Sequence, residues 1–155
     1  MSRFPRLILT ATGVFLLQWL VLGRLRIYGT YPDAVMLFLV WYALRGGRQR
    51  GSLMGFGLGT AMDAVYGTWG IQMFVKTIVG FTVGTFAVED RKPPLIQPQQ
   101  ALLGAFTIAL LHNGLVVIFL ALQTEATNNF LIYGLWLGSA AYTAGVAYVA
   151  SLFMR

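Results

Sequence analysis

The sequence predicts an all-α, polytopic membrane protein folded as one domain, and three observations carry that prediction. Of 155 residues, 57% are hydrophobic and 10% charged, against about 25% charged in an ordinary soluble domain. There is too little polar surface here to cover a globule in water. The polar residues collect in short breaks between apolar stretches. Within two of those stretches glycines recur four apart. Such glycines cost about 1 kcal/mol each relative to alanine in a water-soluble helix. In lipid the backbone bonds internally whatever the residue, and small residues let helix axes approach.

At about 20 residues per crossing, six transmembrane helices are expected, at about 7–23, 33–44, 51–66, 71–88, 101–122 and 130–154. The first follows Arg3 and Arg6 and resembles the charged and apolar regions of a signal peptide. Arg24-Leu25-Arg26 stands where a small-x-small cleavage site would be, so an uncleaved span is expected. Tyr31-Pro32-Asp33 opens the short second span, with Pro32 suited to a first helical turn and Asp33 to the positive end of a helix dipole. Arg45 to Arg50 reads as a compact basic turn, and Gly67-Thr68-Trp69-Gly70 as the tight connection between the third and fourth spans. Glu89 to Pro98 is the longest polar connection, stiffened by three prolines. Gln123 to Asn129 makes the last turn.

The basic residues set an orientation. With the first residues inside, Arg3, Arg6, Arg45, Arg48, Arg50, Arg91, Lys92 and Arg155 fall on one side, and Arg24 and Arg26 on the other. Eight against two places both termini in the cytoplasm. That topology accounts for the net charge of +6. No basic face with interleaved aromatics stands outside the apolar spans, so nucleic acid is not an expected partner. Cysteine is absent, which excludes disulfides, thiol nucleophiles and thiolate metal sites.

The chain is organised around residues 51–84. Gly51, Gly55, Gly59 and Asp63 stand four apart and form one stripe on a helix, and Lys76, Gly80 and Gly84 repeat the spacing after the turn. The expected product is a tightly packed transmembrane hairpin. Asp63 and Lys76 fall at depths within about 5 Å of each other. An unpaired charge in hydrocarbon costs several kcal/mol, so the two are expected to pair or to share a polar interior pocket. The alternative has Lys76 snorkelling alone to the outer surface while Asp63 caps a neighbouring helix.

His112, in the middle of the fifth span, is expected to face the bundle interior and make an interhelical hydrogen bond. It is the sole histidine, with no carboxylate near it in sequence, so no metal site is expected. Gln18 and Gln72 read as polar glue between helices. Gly138-Ser139 with His112 loosely resembles an intramembrane serine protease. Serine beside glycine is routine membrane packing, however, and Gly134, Gly138, Ala141 and Gly145 already form a small-residue face. Gly55-Phe56-Gly57-Leu58-Gly59 lies inside an apolar span with no strand before it, so it is not a phosphate loop. Neither a catalytic residue nor a cofactor is expected.

Taken in order, Tyr31-Pro32-Asp33, the basic turn, the Gly51/Gly55/Gly59/Asp63 stripe, Gly67 and Gly70, and then Gly80 and Gly84 resemble MreD, the family of bacterial rod shape-determining membrane proteins. The resemblance covers about residues 31 to 88. It implies a non-enzymatic scaffold of the bacterial inner membrane within the cell-elongation complex that supports peptidoglycan synthesis. Such a scaffold binds MreC and works with RodA, a class B penicillin-binding protein and, indirectly, the MreB filament. On this view Asp63 and Lys76 fix the register of the hairpin. Arg24 to Asp33 and Thr124 to Asn129 would face periplasmic partners, and Arg45 to Arg50 and Glu89 to Pro98 cytoplasmic ones.

The resemblance also implies a six-helix fold shared with the substrate-binding subunits of energy-coupling-factor vitamin transporters, and with it an alternative function in small-molecule uptake. An uptake subunit would need a polar pocket near its outer face, for which Tyr66, Trp69 and Gln72 are candidates. It would also need a small-residue motif on its first span, where Leu7 to Gly23 has no alanine pair four apart.

Overall fold

The computed structural model describes residues 3–25, 30–87, 97–124 and 129–153. Expectations for residues 26–29, for most of the 89–98 loop and the 123–129 turn, and for Arg155 lie outside the described residues. Helix α1 (Arg3–Leu17) runs into a π-helical turn, Gln18–Leu22. Helices α2 (Ala34–Tyr66), α3 (Ile71–Gly84) and α4 (Pro98–Thr124) follow. A second π segment, Phe130–Gly138, then leads into α5 (Ser139–Phe153). Among the described residues three helical stretches are long and apolar enough to cross a membrane, Pro5–Leu22, Pro98–Leu122 and Ile132–Phe153.

The expected pair of helices joined by a basic turn is present, with the turn contracted to one residue. The 33 residues Ala34–Tyr66 are helical on both sides of Gly47, whose φ of 78° and ψ of −179° leave the helical region, and the chain doubles back there, so that Tyr31 and Tyr66 lie with ring centroids 5.9 Å apart. A glycine adopts that conformation without the steric penalty of a side chain, and helix resumes at once on the far side. Arg45 to Arg50 therefore decorate two abutting helix ends on either side of a one-residue turn. The limbs 34–46 and 48–66 pack with α3 around Val35, Leu39, Ala43, Leu58, Met62, Val75 and Val79, all buried. Leu7, Ala11 and Phe15 of α1 lie against this core, and Val116 of α4 belongs to it.

The exterior is inverted relative to a soluble protein. Leu9, Leu53, Phe56, Leu103, Leu122 and Phe153 are more than half exposed, while Gln18, Asp33, Lys76, His112, Asn113 and Thr143 are buried. Polar groups inside and large apolar groups outside are the distribution that a hydrocarbon solvent favours.

The glycine hairpin is a seam of backbone against backbone. A Cβ on Gly51 would overlap the Gly80 carbonyl, and one on Gly80 the Gly51 carbonyl. A Cβ on Gly55 would overlap the Lys76 carbonyl, one on Gly59 the Met73 backbone, and one on Gly84 would lie 2.6 Å from Arg48 Cα. Gly51, Gly55, Gly59, Gly80 and Gly84 thus all lie in the contact, as their spacing suggests. The turn between the helices needs three positive φ angles in four residues, 68° at Gly67, 41° at Trp69 and 92° at Gly70. Gly67 also closes α2 by donating its N–H to the Asp63 carbonyl at 2.8 Å.

Candidate functional site

The segment Thr30 to Asp33 is enclosed by the bundle. Pro32 and Asp33 are buried, so the chain between α1 and α2 dips into the bundle. Its backbone groups, cut off from water, must find partners there. Gln18, displaced inward by the π turn, supplies two of them. Its Nε2 donates to the Pro32 carbonyl at 2.9 Å, and its Oε1 accepts from the Ala34 N–H at 2.8 Å. From α5, Thr143 Oγ1 accepts from the Asp33 N–H at 3.1 Å, and Ser139 Oγ donates to the Tyr31 carbonyl at 3.0 Å. Tyr31 stacks on Tyr66 with ring centroids 5.9 Å apart. The segment is held from both sides before its carboxylate is considered.

Asp33 then serves two helices. Its Oδ1 accepts from the Met36 N–H at 2.7 Å and caps α2, the role its position predicts. Its Oδ2 lies 2.7 Å from Lys76 Nζ on α3. Lys76 is fully buried, and its ammonium also reaches Gln72 Oε1 and His112 Nε2, each at 3.0 Å. A lysine has three N–H donors and no acceptor, so three acceptors saturate it. His112 Nε2 must accept, which leaves Nδ1 to carry the proton and donate to Asn113 Oδ1 at 2.9 Å. The three ammonium donors and both imidazole nitrogens have their complements, and the two full charges cancel. That is the condition under which an ion pair is tolerated away from water.

The expected Asp63–Lys76 pairing is thereby corrected. Asp63 Oδ1 accepts from Thr68 Oγ1 at 2.5 Å and from the Gln72 N–H at 3.0 Å, and Oδ2 accepts from the Met73 N–H at 2.8 Å. The N-cap of α3 is Gly70, which has no side chain to offer, so the preceding helix supplies the capping carboxylate across the hairpin. Backbone amides at a helix N-terminus stabilise a carboxylate, and that leaves Lys76 to Asp33. Asp63 thus caps a neighbouring helix, while Lys76 stays buried and does not snorkel outward. The interhelical hydrogen bond expected of His112 is present and Gln18 bridges elements, whereas the Gln72 side chain accepts from Lys76 on its own helix.

The Asp33–Lys76 pair and the anchors from Ser139 and Thr143 escaped the sequence reading. They join positions 43 and over 100 residues apart, which no local spacing reports. The signal in the sequence is a lysine inside an apolar span, which needs a partner there. A polar cavity of about 30 Å³ adjoins the node, lined by Thr30, Tyr31, Gln72, His112, Asn113 and Ser139 among others. It has room for one or two waters, whereas pockets for small organic ligands run from about 300 Å³ upward. Comparisons of the chain with protein-family models, with curated proteins and with solved structures return no match.

Proposed function

We propose that the chain is an MreD-like, non-enzymatic scaffold of the bacterial cell-elongation complex, binding MreC and acting with RodA and a class B penicillin-binding protein. It crosses the inner membrane six times, as α1, the two limbs of α2, α3, α4 and the final helix, with both termini in the cytoplasm. The crossings made by α3 and the first limb of α2 span only about 20 Å at 1.5 Å per residue, and the bilayer accommodates them by local thinning.

One observation carries the proposal. The two parts of the motif behind the MreD resemblance, Tyr31-Pro32-Asp33 and the glycine hairpin, are distant in sequence but meet through the Asp33–Lys76 ion pair at 2.7 Å. A motif whose separate halves form one mechanical unit makes sense as the rigid frame of a scaffold. The polar groups at its centre are occupied by one another, as they would be in a frame, and the adjoining cavity is water-sized.

Affinity purification of a tagged copy from detergent-solubilised membranes of its native host tests the proposal. Recovery of MreC with cell-wall synthases is the expected result. Recovery of a membrane transducer with paired ATPases would overturn it in favour of vitamin uptake.

A further inference from the structure

The end of the bundle opposite the ionic node carries a cluster of another kind. Arg45, Arg48 and Arg50 flank the bend at Gly47, and all three are exposed. The described carboxylates, Asp33 and Asp63, are both engaged at the node end. Arg6 joins the cluster by level. Gln18 is bonded to Pro32 and Ala34, so Arg6, twelve residues before Gln18, and Arg45, eleven after Ala34, each lie about 17 Å along their helices from that shared level.

The platform beneath the arginines is firm. The Arg48 backbone is pressed against Gly84, where a Cβ would approach to 2.6 Å, and its carbonyl accepts from Ser52 Oγ at 2.8 Å. The Arg45 guanidinium stacks 4.4 Å over the Trp41 ring. A guanidinium seated over an aromatic face still has N–H donors to offer an outside acceptor. The surface on either side is apolar and exposed, with Trp41 before the bend and Leu53 and Phe56 after it. A soluble acidic partner would not match those flanks. A phosphate group with acyl chains attached matches both parts.

We infer that the Arg45–Arg50 bend is a binding site for an anionic phospholipid, its headgroup phosphate bridged by Arg45, Arg48 and Arg50 and its chains lying against Trp41 and Phe56. This inference requires the membrane setting alone and stands apart from the scaffold proposal. Guanidinium groups donate to phosphate oxygens in pairs of charge-assisted hydrogen bonds, and each basic residue at a membrane surface contributes about fivefold to anionic lipid affinity.

The test is native mass spectrometry of the detergent-purified chain, offered phosphatidylglycerol or phosphatidylcholine in equal amounts. Preferential retention of phosphatidylglycerol is expected, falling about fivefold in each of Arg45→Gln, Arg48→Gln and Arg50→Gln. Arg24→Gln, an exposed arginine at the node end, should leave the preference unchanged, and melting curves will show that all four variants remain folded. Equal retention of the two lipids by the unmodified chain would overturn the inference. So would a triple glutamine variant that keeps its preference, including one that instead loses a protein partner.

Discussion

Lys76 Nζ lies 2.7 Å from Asp33 Oδ2, and this contact joins the start of α2 to the middle of α3. Around it converge Gln72 from α3, His112 from α4, Gln18 from the π turn after α1, and Thr143 from α5. A single buried ion pair with its hydrogen-bond shell thus ties every long helix of the chain to one point. Removing water makes each of these bonds stronger, and makes the loss of any partner more damaging.

His112 should be neutral, with its proton on Nδ1. Lys76 can only donate, so Nε2 must accept, and Nδ1 is left to donate to Asn113 Oδ1. The nitrogen-15 shifts of the ring at neutral pH should show the Nδ1–H tautomer. In Lys76→Met that constraint is removed, and the spectrum should shift towards a mixture. An Nε2–H tautomer in the unmodified protein would mean that the ammonium is not where the node requires it.

Asp63→Ala should lower stability by about 1–2 kcal/mol, the cost of a lost helix cap, because its carboxylate accepts the Gln72 and Met73 amides. Combined with Lys76→Met, its effect should show a coupling no larger than about 1 kcal/mol, since the two side chains make no direct bond and are linked through Gln72 alone. Chemical denaturation in micelles measures both quantities. A large coupling between the two would restore the pairing that their spacing suggests.

How far the sequence discloses this arrangement depends on the range of the interaction. The glycine seam is legible because four-residue spacing is a property of one helix, and Gly51, Gly55 and Gly59 do line one face. The membrane class is legible from composition, which sums over the whole chain. Lys76 could be recognised as needing a partner, but not which one. Helical depth points to Asp63, but the backbone amides of α3 claim that carboxylate and leave Lys76 to Asp33. Tyr31 to Asp33 reads as the opening of a span, and nothing in those residues says that Gln18 and Thr143 will supply the bonds that hold it inside the bundle. The basic turn is legible too, because Arg45 to Arg50 is as polar as any loop, but not that the single residue Gly47 makes it.

The glycines offer an internal control. Gly55→Ala should be strongly destabilising, because its Cβ would overlap the Lys76 carbonyl on the facing helix. Gly57→Ala, two residues on and open to its surroundings, should be neutral or stabilising by up to about 1 kcal/mol through helix propensity. Melting temperatures of the two purified variants, measured side by side, distinguish a packing seam from a general tolerance of alanine. Equal melting temperatures would remove the seam.

The most direct test of the central claim, that the bundle closes on the Asp33–Lys76 pair, is a double-mutant cycle with Asp33→Asn and Lys76→Met, read by reversible unfolding in micelles. Each single change strands one buried charge and should cost about 3–5 kcal/mol. The double change strands neither, so it should cost less than the sum by about 2 kcal/mol or more, within the range seen for directly coupled residues. Two single costs that simply add would contradict the claim and leave Asp33 and Lys76 as independent neighbours.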